Sequence, residues 1–459
     1  MGPVFAIEHS GNEPFLRSQA ARESNARSYP RRIPIAIGEA EGIHVKDMDG
    51  KVYYDCLSGA GTLALGHNHP VVVAAIKSML DNKRPLHTLD LTTPLKEQFV
   101  DELFASLPEE FAKNARIQFC GPTGGDAIEA AIKLVKTATG RRSILSFQGG
   151  YHGSTHAAMS LSGTLGQKEK INGLVPDVHF LPYPYAYRCP FGKGGEETHR
   201  ISSAYIEKLL SDPESGIVSP CGMILEAVQG EGGSIPAPVE WLREMRRITQ
   251  ERDIPLIIDE VQTGLGRTGK MFAFEHAGII PDVLVLSKAI GGSLPLSVVI
   301  YHQKYDVWKP GAHIGTFRGN QLAMAAGLAT LQYIKENEIP SKVEQLGSRL
   351  ASHLLALKQD VGYIGDVRGR GLMIGVEVVN IREKPDAIGT FPAYPQLASR
   401  IQRECLERGL ILEVGGRHSA VMRFLPPLIV TEQQIDEIAC IFSEAVHAAC
   451  TALHSAGAV

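Results

Sequence analysis

Charge of one sign is scarce in this chain: the net value is only −4 over 459 residues, and no long run of lysine and arginine occurs. That balance favours neither nucleic acid nor an anionic membrane surface as a partner. Long apolar runs are missing too. No uninterrupted stretch reaches the roughly 18–20 residues that a bilayer-spanning helix needs. The N-terminus places Glu8 where an export signal would be apolar, and Ala6 where a myristoylation signal would want serine or threonine. Cysteine is sparse: Cys56, Cys120, Cys189, Cys221, Cys405, Cys440 and Cys450 are odd in number, scattered, and without C-x-x-C spacing. A soluble protein of the reducing cytoplasm is therefore expected. No internal repeat or low-complexity segment is present. What remains is an ordinary globular composition, 44% hydrophobic and 21% charged, long enough for one large or two medium domains. A small molecule is the expected ligand.

Residues 1 to 30 are polar and patternless, and read as an arm lying on another surface, with Arg17, Arg22, Arg27, Arg31 and Arg32 solvated or interfacial. Alternation on both sides of Asp49-Gly50 predicts a hairpin over 43–55. From about 70 to 325, helical patterns alternate with short apolar runs at 117–119, 144–147, 222–225, 255–258 and 283–286. Such alternation predicts an α/β fold with a mostly parallel sheet covered on both faces, and ligands at the carboxyl ends of its strands. Beyond 330, helical stretches at 340–358 and 395–408 flank strands at 371–377 and 423–425, an α+β pattern. The expected division is 1–69 for the arm and part of a small domain, 70–328 for the large domain, and 329–459 for the rest of the small one. The irregular loop 183–195, rich in Pro, Tyr and Gly, is expected to border a pocket.

Lys288 ends the run Val283–Ser287 and opens Ala289-Ile290-Gly291-Gly292, which puts an amine at a strand mouth. About thirty residues earlier, Ile254–Ile258 ends in Asp259-Glu260. Two strands thus deliver an amine and a carboxylate to one edge. Pyridoxal 5′-phosphate needs that pair: an amine to capture its aldehyde carbon and a carboxylate to keep its ring nitrogen protonated. At about 3 Å and an effective dielectric near 20, the attraction is on the order of 5 kcal/mol, enough to hold the ring proton at neutral pH. An Asp259 that merely caps the next turn is the alternative. Gly121–Asp126 follows a strand and enters a strong helix former, so Gly124 and Gly125 can offer backbone N–H groups to phosphate; a plain tight turn is the rival. Tyr151-His152 sits just past another strand end, where an aromatic can stack on a flat ring and seal it from water.

Two patterns mislead. Gly264-Leu265-Gly266-Arg267-Thr268-Gly269 matches G-x-G-x-x-G, but no helix pattern follows and no acid ends a second strand about twenty residues on, so it reads as a loop. His67 and His69 are one residue apart with no H-E-x-x-H elsewhere, a weak ligand set; no metal is expected.

The ordered set Gly124-Gly125, Tyr151-His152-Gly153, Glu226 with Gln229–Gly233, Asp259–Gly264, Ser287-Lys288-Ala289 and Gly315-Thr316-Phe317 resembles the class III (omega) aminotransferases of pyridoxal phosphate fold type I. Within that family, the stretches Cys56–His67, Phe119–Gly124 and Gly315–Asn320 are most similar to the diaminobutyrate–2-oxoglutarate enzymes. The resemblance implies a large domain around a mostly parallel seven-stranded sheet, a smaller α+β domain built from both termini, and a homodimer with interfacial sites. It implies that Lys288 carries the cofactor, Asp259 pairs with its ring nitrogen, Gln262 reaches its 3′-oxygen, and Tyr151 stacks on it with His152 and Glu226 nearby. Gly124 and Gly125 then bind phosphate together with Thr316 from the neighbouring subunit. Arg423 is implied to hold the substrate α-carboxylate, and Glu231 to gate it by pairing with it when a terminal amine is the donor. The implied reaction is a ping-pong transfer of the terminal amine of L-2,4-diaminobutyrate to 2-oxoglutarate, giving aspartate 4-semialdehyde and glutamate. A transaminase for another amine or aldehyde, or a racemase needing no keto acid, is the alternative. Ser154 stands where related ornithine and 4-aminobutyrate enzymes carry an arginine for the acceptor's distal carboxylate, and Arg318 is the expected substitute.

Overall fold

The computed structural model describes residues 11–456. Seven strands form the main sheet: β1 Ala115–Phe119, β2 Ser143–Phe147, β3 Val178–Leu181, β4 Pro220–Leu225, β5 Leu256–Asp259, β6 Val283–Leu286 and β7 Val298–His302. Their spatial order is β1-β7-β6-β5-β4-β2-β3. All run the same way except β7, which pairs antiparallel with both β6 and β1. Two of the seven, β3 and β7, are not foreseen by the apolar runs.

Both faces of the sheet are buried, which is why its strands read as continuous apolar runs. In β5, Leu256 and Ile258 join the cluster that contains Trp241, Met245 and Met324, while Ile257 joins the opposite cluster with Ala127, Ala131 and Leu134. The second cluster is closed by the helix Gly124–Thr139. A reciprocal cap between Thr123 and Asp126 starts that helix, and Gly140 at φ +66° ends it. Its alanine-rich inner face lets it lie close on the sheet.

The second unit is assembled from both ends of the chain. Strands Ile37–Glu41, His44–Asp47 and Val52–Asp55 form the expected hairpin and an added edge, and Leu410–Ile411 pairs parallel with Val52–Asp55. Beside it, Ile364–Arg370, Met373–Val378, Val421–Phe424 and Glu413–Gly415 make an antiparallel sheet, with helices Ile339–Asp360, Pro395–Glu407 and Glu432–Ala456 beside it. A division at 328–329 falls inside one helix, Gln321–Glu336. That helix packs on Pro70–Asp81 and Pro94–Ala105, and the chain turns just after it, where Glu338 takes φ +50°. The arm is not patternless: Glu13–Arg22 and Tyr29–Arg32 are helical, and Arg32 Nη1 donates to Val414 O at 2.7 Å.

Candidate active site

Strand polarity gathers the site. Gly121–Gly125 follows β1, Tyr151-His152 lies just past β2, Glu226 follows β4, Asp259 ends β5 and Lys288 lies just beyond β6, all at the carboxyl edge. Lys288, Asp259, Gly124, Gly125, Tyr151, His152, Glu226, Gln262 and Glu231 line a single cavity of 470 Å³ together with Thr123, Ser154, Thr155 and Val261. Nine of the expected residues thus meet in one space.

Lys288 sits at φ +49° in the short turn Lys288–Gly291, a left-handed conformation uncommon for a side chain bearing a Cβ. The turn must reverse the chain, because β7 runs back along β6 with Leu286 opposite Val298. Burial pulls the Lys288 amine below the ordinary lysine pKa, against the pull of Glu231 and with help from the Arg423 charge.

Asp259 and Glu260 point to opposite sides, as neighbours at a strand end do. Asp259 faces the cavity. Its Oδ2 meets His152 Nδ1 at 2.8 Å, and its Oδ1 accepts from Val261 N at 3.0 Å. Burial disfavours a charged His152, but the hydrogen bond and charge of Asp259, with Glu226 behind, carry its pKa above the usual value. Glu260 points into the core and takes no part in the cavity.

Glu226 has both oxygens engaged by backbone, accepting from Tyr151 N at 2.9 Å and Gly230 N at 2.8 Å. It therefore fixes the position of the Tyr151 ring and of the turn that carries Glu231. Burial, with Asp259 adding to it, pushes its pKa up to about 7.

The helix N-terminus at Gly124 is a cup. A Cβ on Gly124 would approach Val261 Cγ1 to 2.8 Å, so only glycine leaves the backbone open at this point. Beside it, the buried Thr155 hydroxyl has no hydrogen-bond partner among the described residues. A phosphate would satisfy that hydroxyl and the free helix N–H groups together. With an amine and a buried carboxylate further along the cavity, the donor set fits pyridoxal phosphate. Thr155 escapes the sequence reading, since a Ser-Thr step after Gly153 carries no distinctive signal.

Arg423 lies behind the cavity wall, fully buried. Its Nη1 donates to Glu231 Oε1 at 2.8 Å and to Glu413 Oε2 at 2.9 Å, and its Nη2 donates to Gln262 Oε1 at 2.9 Å. Gln262 Nε2 donates to Ala60 O at 2.9 Å and keeps a second N–H. Burial opposes the Arg423 charge, but Glu231 and Glu413 raise its pKa. The same arginine, with Lys288 adding, holds Glu231 below the usual carboxylate value despite burial. In Glu413 burial wins and the pKa rises, helped by the Glu231 charge. Glu413 is a site residue the sequence reading misses. Its signal is the hairpin register that sets it directly across from Arg423.

Thr316 and Arg318 do not join the cavity within one chain. Thr316 is exposed, its carbonyl against His87 Nε2 at 2.6 Å; Arg318 pairs with Asp90 Oδ2 at 2.6 Å and donates to His313 O. The loop 183–195 borders a different cavity, of 690 Å³, with Arg368 and Thr390. His67 binds Asp55 Oδ2 at 2.8 Å, and the segment Gly264–Gly269 is a succession of turns. Among the described residues no group of three or more His, Cys, Asp or Glu could hold a metal, and no helix is long and apolar enough to cross a membrane.

Comparison with known proteins adds an independent line. The family model "Aminotransferase class-III" matches residues 25–446. A protein of Rhizobium meliloti named diaminobutyrate–2-oxoglutarate aminotransferase is 56% identical over 433 residues, covering 94% of this chain and 92% of that protein. A Haemophilus influenzae protein of the same name is 49% identical over 444 residues, covering 97% of each. The structure of an amine transaminase from an uncultivated Pseudomonas species, in a PLP-bound form, matches with a TM-score of 0.81 at 27% identity, over 93% of this chain and 97% of that one. Because the family match runs from the arm through the seven-stranded sheet and both four-stranded sheets and takes in every residue that lines the cavity, the chain belongs to the class III aminotransferases.

Proposed function

We propose that the cavity holds pyridoxal 5′-phosphate and that the enzyme moves the terminal amine of L-2,4-diaminobutyrate to 2-oxoglutarate in two half-reactions, releasing aspartate 4-semialdehyde and glutamate. The observation that carries this reading is the meeting of Lys288, Asp259 and the Gly124-Gly125 cup in one cavity whose wall contains Glu231, with its ion-pair partner Arg423 behind it. The names of the two relatives supply the substrates.

Gly124, Gly125 and Thr155 would hold the phosphate, Tyr151 would cover one face of the ring, Gln262 would meet its 3′-oxygen, and Asp259, fixed in place by His152, would hold a proton on the ring nitrogen. Bound there, pyridoxal phosphate supplies an aldehyde for amine capture and a cationic ring that accepts electrons. Lys288, released by the incoming amine, takes the proton from the substrate carbon and later returns one, so a single group serves as tether and as acid-base. Burial, which lowers its pKa, favours the neutral amine that this duty needs.

Glu231 sets the regiochemistry. While it pairs with Arg423, no α-carboxylate can dock there, and diaminobutyrate presents its far amine. When 2-oxoglutarate arrives, Glu231 leaves and Arg423 takes the α-carboxylate. Arg318 holds the distal carboxylate in place of the arginine that Ser154 replaces, reaching the site from the neighbouring subunit as Thr316 does. A homodimer also accounts for the exposed apolar group Leu86, Leu89, Leu91, Ile314 and Phe317, the last 73% exposed, around that loop. The enzyme works in the cytoplasm.

The test is to give purified, yellow protein diaminobutyrate labelled with 15N at the terminal position, plus 2-oxoglutarate. The label is expected in glutamate. Label retained in the keto product, or no transfer at all, overturns the reading.

A further inference from the structure

Arg423 carries two acids on one nitrogen, and only one of them can leave. Glu231 lies in the turn between Gly230 and Gly233, with its side chain 33% exposed, whereas the Glu413 side chain is 10% exposed and sits on a strand directly across from Arg423. Strand register fixes Glu413; glycine neighbours free Glu231. The other oxygen of Glu413 is held from the far end of the chain, where Tyr29 OH donates to Oε1 at 3.2 Å. Arg32 Nη1, on Val414 O at 2.7 Å, fastens that arm to the same strand.

We propose that Glu413, braced by Tyr29, is the standing counter-ion of Arg423, which lets Glu231 depart and a substrate carboxylate replace it without ever leaving a bare guanidinium in the protein interior. The inference rests on the gate reading of Glu231 given above. Its physical basis is the cost of breaking a buried ion pair, which is large when one charge is left uncompensated. Among the described residues no other acid pairs with Arg423: Gln262 is neutral, and the guanidinium Nε has no partner. Without Glu413, each opening of the gate would strand the cation, and the open state would become rare. A keto acid that enters only the open state is then slowed in proportion to that population. The terminal-amine donor reacts with the gate shut and is spared. Glu413 is thus a positioning residue for one half-reaction and not for the other.

The two half-reactions can be followed separately by stopped-flow absorbance of the holoenzyme, using diaminobutyrate for the first and 2-oxoglutarate for the second. Glu413→Gln keeps shape and hydrogen bonding but removes the charge. It is expected to lower kcat/KM for 2-oxoglutarate by about tenfold or more while the diaminobutyrate step stays within about twofold. Tyr29→Phe, at a residue 44% exposed, is expected to show the same split at about two- to threefold. Equal changes in both half-reactions, or no change in either, overturn the proposal. Should Glu413→Gln fail to fold, the presence or absence of the split in Tyr29→Phe decides. A Glu231→Ala arm separates the layers: it should lose the preference for the terminal over the α-amine. If that preference survives, the gate and this proposal both fall; if it is lost while Glu413→Gln is silent, only the present proposal falls.

Discussion

Replacing Glu260 by glutamine should make the enzyme more stable, and only above mildly acidic pH. Glu260 is 1% exposed and accepts from Phe274 N at 2.9 Å and Thr263 Oγ1 at 2.6 Å. Burial outweighs those hydrogen bonds and pushes its pKa from 4.5 up to about 7. Between those two values the folded protein binds a proton that the unfolded chain has lost. The sign follows: stability falls as pH rises through that window and levels off above it. At about 1.4 kcal/mol per pH unit, the window is worth about 3 kcal/mol. Glutamine carries no charge to bury, can accept from Phe274 N–H through its carbonyl, and can donate to the Thr263 hydroxyl. The variant should therefore match wild type only below about pH 4.5 and exceed it by about 3 kcal/mol near pH 8, or about 3 °C in Tm for a chain of this size. Thermal unfolding of both holoenzymes across that pH range is the assay, and the difference between the two curves cancels groups they share, such as Glu226. A difference that does not change with pH, or one that favours wild type as pH rises, refutes the reasoning.

Lys288→Ala should lose the visible absorption of bound cofactor and nearly all turnover; retention of either contradicts the role given to the lysine. Asp259→Asn removes the main influence that raises the His152 pKa against burial, so that pKa should drop, measurable by NMR, and turnover should fall by roughly a thousandfold; a turnover close to wild type would show that the ring proton is held by another group. Gly124→Ala forces a methyl against Val261, 2.8 Å from Cγ1, and should weaken cofactor retention on dialysis by about tenfold without altering the first half-reaction of the fully loaded enzyme; unchanged retention removes the cup from the account. Arg318→Ala should raise KM for 2-oxoglutarate, and an unchanged KM discards Arg318 as the distal carboxylate's partner.

The strands that bear chemistry were the most legible part of the chain, because β2, β4, β5 and β6 are buried along their whole length and each delivers its functional residue at a fixed end. The strands β3 and β7 were not legible. β3 carries His179 and is only partly buried over most of its length, and the direction of β7 depends on the turn at Lys288, whose left-handed backbone no local composition announces. Sequence singled out Asp259 over Glu260 without showing which way either points; the pleat separates them physically. The arm looked patternless because its helices bury no side chain, yet Tyr29 ends beside an ion pair nearly four hundred residues away. Glu413 stayed hidden for a related reason: its meaning lies in cross-strand register with Arg423, a relation that spans a turn and leaves no periodic trace.

The small unit's first sheet pairs Tyr54 with Leu410 in register. During synthesis, the strand made first must therefore wait, unpaired on one side, until nearly the whole polypeptide has left the ribosome. The seven-stranded sheet ends at His302 and can assemble in the meantime. Arg423, to which we assign the substrate carboxylate, thus comes into place only after the strands of that sheet have been made, and a chain released early would lack it.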